Sequence, residues 1–119
     1  MPVQRDYILR LLEQAAAVVR RLRELLGGGT GEPAAIVEEA RAAQAALLGN
    51  AWTLLQQVNV PTATALVRDP RQLAVWADLI RVEAQASRAM GDEKRASYLE
   101  SRADEIATAA VRTAQNPTG

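Results

Sequence analysis

Apolar residues recur at three- and four-residue steps through most of this sequence, and many of them are alanine. Alanine accounts for about a fifth of the 119 residues, whereas phenylalanine is absent. Steps of three and four residues place side chains on one face of a helix. Alanine is the strongest helix former, while strands favour β-branched and aromatic side chains. The sequence therefore predicts an all-α fold, a small bundle of about four main helices plus one or two short ones.

Glycine, proline and capping residues divide the helical spacing into segments of one domain, residues 1–119. The first amphipathic helix is predicted over residues 6–26, with Asp6 as its N-cap. A glycine-rich linker is predicted over residues 27–33, because successive glycines do not sustain a helix. Residues 34–67 are predicted to form a further helix and then short helices.

Two local signals predict how the chain ends. The dipeptide Asp69-Pro70 is typical of a helix start, and Gly91-Asp92 is typical of the end of one helix and the cap of the next. Because so short a link leaves no room for another arrangement, the two helices must run antiparallel. The sequence thus predicts a helical hairpin over residues 70–114 and a frayed tail over residues 115–119.

Charge and residue types argue against several classes of function. Fourteen basic and fourteen acidic residues cancel, so no net field favours nucleic acid or an anionic membrane. Cysteine and histidine are both absent, which removes thiolate chemistry, the usual proton shuttle and the commonest zinc ligand. We therefore expect no catalytic, cofactor-binding or metal-ligating residue, and we predict that the protein is not an enzyme. A secretory signal and a membrane-spanning apolar run are also lacking, so a cytoplasmic location is expected.

The two tryptophans are the largest side chains available to the core. Trp52 and Trp76 are interpreted first as buried fillers of a core otherwise built from alanine and aliphatic residues. An exposed tryptophan would instead mark a contact surface, because tryptophan is enriched at interface hot spots. Both interpretations stay open for Trp52, whose predicted helix is short.

The segment 84–110 resembles a single tetratricopeptide unit. Such units end their first helix at a Gly-Asp turn and place alanines seven residues apart on the second, and Gly91-Asp92, Ala96 and Ala103 match that pattern. The aromatic and glycine markers of the first helix are absent, and no second copy follows at a period of about 34 residues. The resemblance implies a hairpin that forms, with the preceding helices, a concave or grooved surface for a partner helix, a peptide or another subunit.

The opening Arg5-Asp6-Tyr7-Ile8, followed by Glu13-Gln14, resembles the start of an uncharacterised family of bacterial helical proteins. That resemblance implies a short leucine-rich helix in mid-chain and a tetratricopeptide-like hairpin at the end. It assigns no activity.

These observations lead to three functional hypotheses. In the first, the chain is a non-enzymatic interaction module that binds a protein or peptide through the hairpin arginines Arg81, Arg88 and Arg95. In the second, the chain is a structural protein that assembles as a homodimer through a seam on its first helix. The residues of that seam are Ile8, Leu11, Ala15, Val18, Leu22 and Leu25. In the third, the chain is a small ligand-binding or enzymatic helical domain, which would require a deep pocket with converging polar groups.

Overall fold

The computed structural model describes residues 2–115, with side chains from residue 6 onward. Over this range the chain forms six α-helices and one 3₁₀ turn and contains no β-strand, so the all-α prediction is confirmed. The α-helices are α1 (Pro2–Gly27), α2 (Pro33–Leu48), α3 (Trp52–Gln57), α4 (Val60–Val67), α5 (Pro70–Ala89) and α6 (Glu93–Gln115), and the 3₁₀ turn covers Gly49–Ala51. No helix in residues 2–115 has both the length and the apolar character needed to span a membrane.

The ends of the hairpin helices follow from local chemistry. An Oδ1 atom of Asp69 accepts a hydrogen bond from the backbone N–H of Arg71 at 2.8 Å, and this caps α5. The backbone N–H of Arg95 likewise donates to Oδ1 of Asp92 at 3.1 Å at the start of α6. Between the two helices Gly91 has a φ of +87°, a left-handed conformation that glycine adopts without strain. Both predicted signals for the hairpin are confirmed.

The prediction that the first helix begins at Asp6 is wrong. α1 already begins at Pro2, so Asp6 lies inside the helix, is exposed and cannot act as its cap. Proline suits the first helical position because its missing N–H would have no partner there. The predicted tail lies outside the described residues, apart from Gln115, which ends α6.

Helix α5 is the centre of the bundle. Helices α1, α2 and α6 all pack against α5, and α1 and α2 also pack against each other. The order of cross-helix ion pairs, Arg81 with Asp104 and Arg88 with Glu100, shows that α5 and α6 run antiparallel. Small side chains let these helices approach closely. The fully buried alanines of the two helices are Ala77, Ala84 and Ala86 on α5 and Ala96 and Ala103 on α6.

Candidate binding site

A pocket of about 150 Å³ opens where α2, α3, α5 and α6 meet, and polar and aromatic side chains form most of its lining. We call it the arginine pocket. Its polar lining residues are Arg41, Gln44, Gln56, Glu83, Arg95 and Arg102, and its aromatic ones are Trp52, Trp76 and Tyr98. Over the described part of the chain, no three acidic, histidine or cysteine side chains gather as a metal site would require.

The base of the pocket is a chain of buried hydrogen bonds. Nε1 of Trp76 donates to Oε1 of Gln44 at 3.2 Å, and Nε2 of Gln44 donates to Oε1 of Glu83 at 2.9 Å. All three side chains are buried, with Glu83 only 2% exposed. A buried carboxylate is costly unless it is paired and hydrogen-bonded. This chain of bonds satisfies one oxygen of Glu83 and fixes the direction in which the other oxygen points.

Two arginines at the mouth of the pocket share that second oxygen. Nη1 of Arg41 lies 3.4 Å from Oε2 of Glu83, and Nη2 of Arg95 lies 3.5 Å from the same atom. Charge-assisted N–H···O bonds are usually about 2.7–2.9 Å long, so both contacts are loose. The arginine side chains remain 38% and 43% exposed. The mouth of the pocket therefore presents two cations to solvent.

Aromatic rings hold these guanidinium groups in place. The guanidinium carbon of Arg41 lies 5.6 Å from the centre of the Trp52 ring, and that of Arg95 lies 5.7 Å from the centre of the Tyr98 ring. Both distances fall within the range of about 6 Å for cation–π attraction. Tyr98 is half-exposed and Trp52 is half-buried. The structure thus places Trp52 at the pocket mouth, whereas the predicted burial of Trp76 is confirmed.

Arg102 ties the pocket to the rest of the fold. Its guanidinium donates to the backbone oxygen of Val58 at 3.1 Å and to that of Leu55, which joins α6 to the end of α3. A broader open groove of about 490 Å³ runs between residues 57–61 and α6, and Tyr98 and Arg102 line both the groove and the pocket. The arginine pocket therefore opens beside an extended groove.

Only one of the three arginines predicted to bind a partner lines this pocket. That residue is Arg95. Arg81 instead contacts Asp78 on its own helix and Asp104 on α6. The structure does not bring Arg81, Arg88 and Arg95 together as one surface.

Arg88 forms a second, separate cluster that we call the Arg88 fork. Its Nε donates to Oε2 of Glu93 at 2.7 Å, and its two terminal nitrogens donate to the two carboxylate oxygens of Glu100, each at 2.7 Å. These hydrogen bonds from Arg88 lower the pKa of Glu100 and raise the pKa of Arg88 itself. Both carboxylates are bound at short distance, and the guanidinium is engaged within the hairpin.

The predicted dimer seam is divided between the core and the surface. Ala15 and Leu22 belong to the core of the single chain. The other four seam residues are half-buried and pack against that core; they are Ile8, Leu11, Val18 and Leu25. A shallow apolar groove of about 180 Å³ remains between α1 and α2, with Leu11 and Val18 in its lining. The outer edge of the seam is therefore accessible.

The buried polar residues of the pocket were not among the predicted site residues; they are Gln44, Glu83 and Arg102. Helical spacing contains the signal that could have found Glu83 and Arg102. Glu83 lies three residues after Ile80 on the buried face of α5, and Arg102 lies three residues after Leu99 on the buried face of α6. A polar residue on an apolar stripe is informative because its burial requires partners.

Comparisons of the chain with protein-family models, with curated proteins and with solved structures found no significant match. Two resemblances therefore stay predictions from sequence, that of the hairpin to a tetratricopeptide unit and that of the opening to a bacterial family.

Proposed function

We propose that this protein is a non-enzymatic, cytoplasmic interaction module, with a tetratricopeptide-like hairpin, that binds a segment of a partner protein at the arginine pocket. The observation that carries this proposal is the pair of half-exposed guanidinium groups at the mouth, those of Arg41 and Arg95, each held against an aromatic ring. Arginine, tryptophan and tyrosine are the residues most enriched at interface hot spots. Contact with a ring restricts a guanidinium group before binding, so less conformational entropy is lost when a partner docks.

The size of the arginine pocket itself supports a site for one side chain of a partner rather than for a small-molecule ligand. Sites for small-molecule ligands usually enclose about 300–1,000 Å³. The arginine pocket, at about 150 Å³, suits a single side chain. The adjoining groove, at about 490 Å³, is open enough for the backbone that carries such a side chain. We therefore expect the partner to present an extended segment with one inserted residue.

Selection from a random linear-peptide library tests this proposal. We expect the protein to select peptides whose dissociation constant, measured by fluorescence anisotropy, rises about tenfold on Tyr98→Ala, because the ring supports Arg95 at the mouth. Tyr7→Ala is the matched control, since Tyr7 is also exposed (59%, against 51% for Tyr98) but lies on α1. That control is expected to leave the dissociation constant within about twofold.

A failure of the selection, or peptides whose binding is insensitive to Tyr98→Ala, would contradict the proposal. Self-association of the protein would instead favour the second candidate, assembly of two copies through α1. That candidate is supported by the accessible apolar groove beside Leu11 and Val18. Light scattering of the Leu11→Glu variant tests this candidate. Leu22 is not substituted, because it is fully buried and a charge there would disrupt the core.

A further inference from the structure

The charge of the arginine pocket is unbalanced. Three arginines and one glutamate line it, so two positive charges have no counter-ion among the lining residues. Arg102 directs two of its nitrogens at backbone oxygens of residues 55 and 58, and it is buried. The cations that an incoming group would meet first are therefore Arg41 and Arg95. A site with this balance attracts an anion.

Donor groups at the mouth are also in excess. A guanidinium carries five N–H donors. Among the described residues, the guanidinium of Arg41 makes polar contacts with Glu83 and Gln56, and that of Arg95 makes one with Glu83. Both contacts with Glu83 are longer than a usual charge-assisted bond. The remaining donors of Arg41 and Arg95 are available to an acceptor that enters from the groove.

The fixed carboxylate of Glu83 restricts which anion fits. Glu83 stands at the base of the same pocket and repels a second negative group, and the repulsion grows with the charge of that group. A singly charged carboxylate is planar and matches the fork of a guanidinium. A phosphate ester carries up to two charges at neutral pH and would meet stronger repulsion from Glu83.

We propose that the arginine pocket binds the side-chain carboxylate of one glutamate or aspartate in an extended acidic segment of a partner protein. The carboxylate accepts hydrogen bonds from Arg41 and Arg95, and the neighbouring residues of the segment lie in the groove beside Tyr98. This inference rests on the proposed function and specifies the chemistry of the partner.

The probe is the tightest Tyr98-dependent peptide from the library selection, made in three versions with glutamate, glutamine or phosphoserine at its inserted position. We expect the selected peptides to share an acidic residue and the glutamine version to bind about tenfold more weakly. Arg95→Gln is expected to weaken the glutamate version about tenfold and to leave the glutamine version nearly unchanged, because the charge pair is already lost. Arg88→Gln is the matched control, because Arg88 is a similarly exposed arginine of the same hairpin. It should change the dissociation constant of neither version.

Each result separates this inference from the proposed function. Tyr98-dependent peptides without a shared acidic residue, or a glutamine version that binds equally well, would overturn the carboxylate inference while leaving the interaction module intact. Tighter binding of the phosphoserine version than of the glutamate version would overturn it in favour of a phosphorylated partner. Absence of any Tyr98-dependent peptide would remove the proposed function itself. Circular dichroism of Arg95→Gln confirms that a loss of binding does not come from unfolding.

Discussion

The arginine pocket and the Arg88 fork both combine arginine with glutamate; the fork lies wholly on the hairpin, whereas the pocket adds Arg41 from α2. In the fork, Arg88 donates to the carboxylates of Glu93 and Glu100 at 2.7 Å, and the side chains of these acids are 65% and 42% exposed. In the pocket, two arginines approach one oxygen of a buried glutamate at 3.4 and 3.5 Å. The guanidinium of Arg88 has its acceptors within the chain, whereas those of Arg41 and Arg95 keep N–H donors available to a partner.

Burial, more than distance, decides how much such contacts contribute to the free energy of unfolding. Exposed ion pairs contribute little even at short distance, since water solvates both partners once they separate. A buried carboxylate depends on its partners because nothing else solvates it. The short bonds of the fork are therefore expected to matter less for the free energy of unfolding than the longer contacts around Glu83.

The largest expected effect comes from removing the buried carboxylate. Glu83→Ala is expected to lower the free energy of unfolding by about 3 kcal/mol, because it leaves a cavity and deprives Nε2 of Gln44 of its acceptor. Urea unfolding followed by circular dichroism measures the change. Glu100→Ala is the matched control on the same hairpin, and its effect is expected to be much smaller than that of Glu83→Ala. Equal effects would show that distance, not burial, separates the two regions.

A smaller effect on the free energy of unfolding is expected from the indole of Trp76, at the other end of the buried chain of hydrogen bonds. Trp76→Phe keeps most of the ring but removes the N–H that donates to Gln44, and we expect a loss of about 1–2 kcal/mol in urea unfolding. Because Trp76 and Glu83 act through the same amide, the double variant should be less destabilised than the sum of the two single ones, by about 1 kcal/mol. In the double variant of Trp76→Phe with Glu100→Ala, the two losses in the free energy of unfolding should add. Additivity in both pairs would mean that the pocket base is not one network.

The sequence predicted those parts of the fold that rest on local chemistry. Asp69 and Gly91 act on backbone groups within one turn of themselves, so their effect can be read from neighbouring residues alone. The buried face of α5 rests on equally local information, because Leu73, Trp76 and Ile80 recur at helical spacing. These features need no knowledge of which helices meet.

The pocket was beyond such prediction because it depends on which helices meet. Arg41, Trp52 and Arg95 come from three helices and share no local pattern. The same limit applies to α2, where Ala46 continues the apolar spacing of the helix and is nevertheless exposed. The side of α2 that faces α5 carries Gln44 instead, and a glutamine on an apolar stripe reads as solvent-facing until its partners are known.

The smallest expected effect is the pH dependence of the Arg88 fork. Hydrogen bonds from Arg88 hold the pKa of Glu100 below its ordinary value of 4.5. The fork therefore contributes to the free energy of unfolding above pH 4.5, and this contribution is lost as the pH falls through the lower pKa of the folded state. Arg88→Gln is expected to return the pKa of Glu100 toward 4.5, as followed by the NMR shift of its carboxyl carbon.

Arg81→Gln is the control for that titration, because Arg81 contacts Asp78 and Asp104 and should leave the pKa of Glu100 unchanged. A lowered pKa in the unmodified protein would mean that Arg88 is engaged within the hairpin, so that Arg95 is the hairpin arginine left to bind a partner. An ordinary pKa would mean that the fork is open in solution. Arg88 would then be available to a partner, as the sequence analysis predicted, and the contrast between fork and pocket would no longer hold.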